Sequence, residues 1–317
     1  MSFDQAIKWG FIGLIAALDL VLLFFCKFEL QWGDLVKPAI LCAMLAVLSL
    51  YYHRNQGDSL VLCMITLMHI GCYMTVTSLF IYLTTTFNFP LHDGWLRAFD
   101  SMVGYSPSAL VAWTRSHPIL DYWSTWIYLF ITTESMFAIF AIAFSNHRRC
   151  LEKFVFQFML GAFACGIIAC VLPGNSPLHN HGITPTDWQQ PFLDHFRALR
   201  TGEPFKFSWR QTEGLVTFPS FHTAWAVFLI VAWSAHTRWL FIPTTILNVL
   251  IIISTLTTGE HYLLDIAGGI ALALFCIYTS HRVNAFAYTT EGDPRVVEWL
   301  SLPARQPAKR SALQQNG

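Results

Sequence analysis

Two histidines and an aspartate stand where they could do chemistry. His222 lies in TFPSFHTAWAV, residues 217–227, where a proline and a serine lead straight into an apolar run. Ser220 has the place of an N-cap, whose hydroxyl accepts from first-turn amides. His222 would then sit in the first turn, where free N–H groups and partial positive charge suit a phosphate. Alone, it reads as readily as a histidine that caps a span at the water boundary. His261 and Asp265 lie four apart in TTGEHYLLDIAGG, residues 257–269. On one helix face the carboxylate reaches the imidazole, fixes its tautomer and leaves the other ring nitrogen as nucleophile or base. Both helices would start on the same membrane face, so two positive helix ends and two imidazoles could converge on one anion.

The elements that must hold these residues are membrane helices. Of 317 residues, 55% are hydrophobic and 12% charged, against roughly a quarter charged in soluble domains. Apolar runs long enough to cross a hydrocarbon core of about 30 Å lie near residues 10–28, 36–52, 59–85, 122–145, 152–172, 221–236, 239–258 and 261–280. The fold class expected is all-α integral membrane. Residues 1–58 form a two-helix extension, 59–280 the core and 281–317 a mobile tail. The first span is too long for a cleaved signal and is read as staying attached. Eight spans put both termini on one side with 11 of the 19 basic residues, NHRRCLEK at 146–153 the densest cluster. That side is read as cytoplasmic. The opposite face carries the long segments 86–121 and 173–219, and neither holds a glycosylation sequon. This favours a bacterial inner membrane with the site toward the periplasm over an endoplasmic or Golgi lumen.

Several other features are weighed and set aside. Net charge is zero with no basic stripe, so no nucleic-acid partner is expected. The eight cysteines include no C-x-x-C pair and read as buried thiols. HNH at 179–181 lacks a third ligand, so no metal is expected, and no nucleotide loop appears. Residues 187–202 have helical spacing, with Asp187 as cap and Gly202 as stop, and read as a helix in the interface; 95–113 reads similarly. Asp19, His69 and Glu134 fall near mid-membrane, where at least two should pair.

PSFH at 219–222 and EHYLLDIAGG at 260–269 resemble the second and third signature motifs of the type 2 phosphatidic acid phosphatase (PAP2) superfamily. GLVTFPSFH and the HYxxD form are most similar to its inositol phosphorylceramide synthase and aureobasidin-resistance branch. The resemblance spans roughly 119–280. It implies a six-helix core and a phosphohistidine mechanism: His261 attacks phosphorus, Asp265 orients it, and His222 protonates the leaving oxygen and later deprotonates the acceptor. The family's first motif is absent, since the chain contains no Arg-Pro, and Thr255 stands where the phosphatases carry arginine. Another cation must then neutralise the phosphoryl oxygens. Arg200, Lys206 and Arg210 on the loop before Ser220 are the candidates, Arg200 first, with Ser220 as a further phosphate ligand. These departures favour transfer from a lipid to an alcohol. A phosphatase using water stays open as the rival enzyme, and a lipid or ion transporter as the rival outside enzymes. Head group, acceptor and oligomeric state are left open.

Overall fold

The computed structural model describes residues 3–54, 57–145, 147–236 and 238–290. In chain order its helices are α1 (Phe3–Phe25), α2 (Val36–Arg54), α3 (Asp58–Thr85), α4 (Asp93–Met102), α5 (Pro107–Arg115), α6 (Pro118–Leu129) and α7 (Ile131–Phe144). They continue as α8 (Arg148–Val171), α9 (Ser176–Asn180), α10 (Gln190–Arg200), α11 (Phe221–Trp233), α12 (Arg238–Thr257) and α13 (Leu263–Thr290). Among the described residues six helices are long and apolar enough to cross a membrane: α1, α2, α3, α8, α12 and α13. The other two expected spans are α6 with α7, bent by 47° at Phe130, and the short apolar α11. The protein is a multi-pass, helical membrane protein.

One side of the bundle gathers the segments that follow α1, α3, α8 and α12. There the strands β1 (Phe28–Leu30) and β2 (Phe205–Phe207) pair in parallel, with Phe28 opposite Phe205. This small sheet, absent from the sequence reading, ties the loop after α1 to the loop that leads to Ser220. Bulky apolar side chains face outward along the spans, including Leu20, Phe24, Val47 and Leu50. That is the surface a helix presents to lipid rather than to water. Exposed Trp123 and Trp126 on α6 and Trp239 on α12 add aromatic side chains near helix ends.

α10 departs from its expected role. Its cap residue is Gln189, not Asp187, while Gly202 follows the C-cap as its spacing suggests. Its apolar face does not enter lipid. Phe192, Leu193, Phe196 and Leu199 are buried with Leu79, Tyr82 and Leu83 of α3 and with Phe207, so α10 is packed across the outer end of α3. α4 likewise buries Leu96, Asp93 and Asp100 in the protein. α13 runs ten residues beyond 280 into the expected tail, and the rest of that tail, 291–317, lies outside the described residues.

The mid-membrane polar residues do not pair with one another. Glu134 Oε1 accepts from Asn248 Nδ2 at 2.6 Å and from Trp233 Nε1 at 3.2 Å. His69 packs against Trp9 with ring centroids 4.8 Å apart. Asp19 Oδ1 is buried without a hydrogen-bond partner. At Glu134, amide and indole donors from neighbouring helices do what a second charged residue is expected to do.

Candidate active site

Ser220 caps α11 as its position suggests. Its hydroxyl accepts from the Thr223 amide at 3.3 Å and from the Thr223 hydroxyl at 3.0 Å. It is fully buried, and among the described contacts its hydroxyl oxygen is engaged as a cap. His222 therefore stands in the first turn of an apolar helix of 13 residues. At about 1.5 Å per residue that helix is about 20 Å long, shorter than the hydrocarbon core. Among the described contacts no partner is seen for the amides of Phe221 and His222, which a first turn leaves free.

His261 is not on a helix, contrary to the expectation from spacing. It lies in the link between α12 and α13, one residue before the Tyr262 cap of α13. The imidazole–carboxylate contact forms all the same, with Nδ1 3.3 Å from Asp265 Oδ2. The reason is a capping box: Asp265, third in α13, reaches back to accept the Tyr262 amide at 2.8 Å, and the same oxygen meets His261. Asp100 on α4 accepts the next amide, Leu263, at 3.2 Å. The positive end of α13 is thus occupied by the protein's own carboxylates, and only that of α11 is open to an anion. Tyr262 donates its hydroxyl to Asp93 at 3.1 Å, and Asp93 accepts the Asn175 amide at 3.0 Å. α4 therefore clamps the start of α13. Burial holds the His261 ring well below the usual histidine range, at about 4, against the opposing pull of a hydrogen bond to the Thr217 backbone. Burial thus favours the neutral ring that a nucleophile requires.

Two glycines let these parts meet. The amide of Ser220 donates to the Asp265 carbonyl at 3.0 Å, so the cap of α11 rests on the first turn of α13. A Cβ on Gly268 would lie 2.9 Å from the Phe218 ring, and one on Gly269 would lie 2.8 Å from Thr223 Cβ and collide with the Ser220 carbonyl. Neither position has room for a side chain.

His222 and His261 line one cavity of about 340 Å³, and each lies within the electrostatic reach of the other. Tyr128 of α6 also lines it and stacks on His222, with centroids 4.2 Å apart, planes 19° apart and its hydroxyl 3.4 Å from Nδ1. The break between α6 and α7 falls just past Tyr128, at Phe130. Tyr128, Trp188, Trp225, Gln189, Glu213 and Glu260 belong to the site and were missed by sequence reasoning. Glu260 alone had a signal, its place beside His261.

The three basic candidates lie elsewhere. Arg200 donates to the Phe89 carbonyl at 2.8 Å, stacks over Phe196 and lines a separate small pocket with Asn88 and Thr217. Arg210 pairs with Asp34 at 3.2 Å. Lys206 is exposed on β2, opposite Glu29. Arg200 and Arg210 are held by partners and Lys206 by its strand, and among the described residues no arginine or lysine lines the cavity.

A family model described as the PAP2 superfamily matches residues 94–279, more than half of the chain, and the protein belongs to that superfamily. Its members are phosphatases or phosphotransferases, so this is an enzyme of that kind. No curated protein and no solved structure matches the chain.

Proposed function

We propose that the protein is a lipid phosphotransferase that moves a phosphoryl-containing head group from a lipid donor to a hydroxyl acceptor through a phosphohistidine on His261. The observation that carries this reading is the shared cavity: both imidazoles line it, one of them braced on Nδ1 by Asp265. In the first step His261 Nε2 forms a bond to phosphorus while the bond from phosphorus to the lipid oxygen breaks. His222 gives that oxygen its proton. In the second step His222 takes the proton of the acceptor hydroxyl, whose oxygen bonds to phosphorus as the P–N bond breaks. Asp265 steadies the positive charge that develops on His261, as a buried carboxylate does for an imidazole base. The open amides of Phe221 and His222 take the place of side-chain cations on the phosphoryl oxygens.

Transfer to an alcohol is favoured over hydrolysis by the aromatic lining of a cavity roomy enough for an acceptor, and by the first motif's absence. The resemblance to the inositol phosphorylceramide synthase branch points the same way. The distribution of basic residues supports a site on the extracytoplasmic face, and the lack of a glycosylation sequon in the two outer segments favours a bacterial inner membrane as the setting. Radiolabelled phospholipid incubated with purified protein, with and without an alcohol acceptor, tests the reading. A labelled transfer product that disappears in His222→Ala is expected; release to water alone, whatever the acceptor, would make the protein a phosphatase.

A further inference from the structure

The cavity holding the two histidines has an acidic end that phosphoryl transfer by itself does not use. Glu213 and Glu260 line it, and among the described residues no lysine or arginine does. Glu260 is fixed by its side chain and Glu213 by its backbone. Gln189 Nε2 donates to Glu260 Oε1 at 2.6 Å and to the Thr258 carbonyl at 3.0 Å, while the Glu213 amide donates to the Tyr82 hydroxyl at 2.8 Å. Aromatic rings stand around them: Tyr128, Trp188 and Trp225 line the same walls, with Tyr128 and Trp188 5.4 Å apart. Among the described residues one further group on these walls has no hydrogen-bond partner, the indole N–H of Trp225.

Two carboxylates withdrawn from water without a counter-charge repel one another and each loses hydration. Burial, with the charge of Glu213 adding to it, pushes the Glu260 carboxyl up to about 7 even against the Gln189 hydrogen bond. An anionic phosphate entering alone would bring a third negative charge to a cavity with no fixed cation. A ligand that carries its own positive charge beside its phosphate removes both difficulties. An ammonium is attracted by carboxylates and by the faces of tryptophan and tyrosine, most strongly where water is excluded. We infer that the head group handled here carries an ammonium, held between Glu213, Glu260 and the surrounding rings while its phosphorus faces His261. This rests on the phosphotransferase reading and names the substrate class for it.

The test uses the full chain in detergent micelles treated with EDTA. Radiolabelled phosphatidylcholine and phosphatidylethanolamine are compared with phosphatidylinositol and phosphatidylglycerol as donors. The expected result is kcat/KM about tenfold or more higher for the two ammonium donors. Glu213→Gln and Glu260→Gln should each raise KM for those donors and narrow the preference. Faster turnover of the polyol donors, an unaltered preference in both variants, or a requirement for Mg²⁺ after EDTA would overturn the inference and leave the phosphotransferase reading standing. If no donor turns over, that reading fails, and binding decides this one. Quenching of tryptophan fluorescence by phosphocholine but not by inositol phosphate supports it; equal quenching, or none, overturns it.

Discussion

Asp265 Oδ2 accepts the Tyr262 amide at 2.8 Å and lies 3.3 Å from His261 Nδ1, so one oxygen both starts α13 and orients the imidazole. In Asp265→Asn the side-chain oxygen can still cap the helix, but the charge that supports a positive His261 is gone. Turnover should fall about 10²- to 10⁴-fold with a much smaller change in thermal midpoint. A fall in both to the level of an unfolded chain would reduce Asp265 to a cap.

Gly269 is predicted to be intolerant of any side chain. Its Cβ would press on Thr223 and on the Ser220 backbone, moving the cap of α11 away from α13. Gly269→Ala should destabilise the protein by about 1–3 kcal/mol and lower activity. Gly71→Ala on α3, where a Cβ meets nothing within 4 Å, serves as the control. Thermal unfolding in detergent, read beside turnover, checks both.

Tyr128 acts on His222 through its ring and its hydroxyl. Removing the ring in Tyr128→Ala frees the imidazole to turn, and kcat should fall about 100-fold. Tyr128→Phe keeps the stack and loses only the hydroxyl beside Nδ1, so it should retain most of the rate while the pH profile of kcat shifts. Equal losses in the two variants with unshifted profiles would indicate packing alone.

The acidity of Glu260 and His261 gives opposite pH dependences. The Glu260 carboxyl, raised from 4.5 to about 7 chiefly by burial, binds its proton more tightly in the folded state. Its contribution to stability is therefore fully present below 4.5 and is lost as pH rises through about 7. His261, lowered from 6.5 to about 4, contributes stability that is present above 6.5 and lost as pH falls through about 4. Thermal midpoints of the parent and Glu260→Gln at about pH 5 and about pH 8 isolate the first effect. The parent should lose more stability than the variant on going to the higher pH.

How much of this was legible in the sequence depends on the range of the interactions. Membrane spans announce themselves in local apolar runs: among the described residues six of the eight expected ones are long apolar helices, the fourth is the pair α6–α7 broken at Phe130, and the sixth, α11, is only 13 residues long. The contact of His261 with Asp265 and the Ser220 cap ahead of His222 were legible because those partners are close in sequence. Tyr128 was not, since it reaches His222 across 94 positions, and Glu213 acquires meaning only once the cavity exists. The basic residues misled for the same reason: Arg210 is engaged by Asp34 from the far end of the chain, and Arg200 by the Phe89 carbonyl. Charge near a motif in sequence does not fix where that charge points.

The most direct test of the phosphohistidine account is to trap it. Labelled phospholipid is mixed with parent, His222→Ala and His261→Ala proteins, quenched in alkali to preserve a P–N bond, and the labelled peptide identified by mass spectrometry. The account predicts label on His261 in the parent and none in His261→Ala. Label on His222, or steady turnover in His261→Ala, would contradict it.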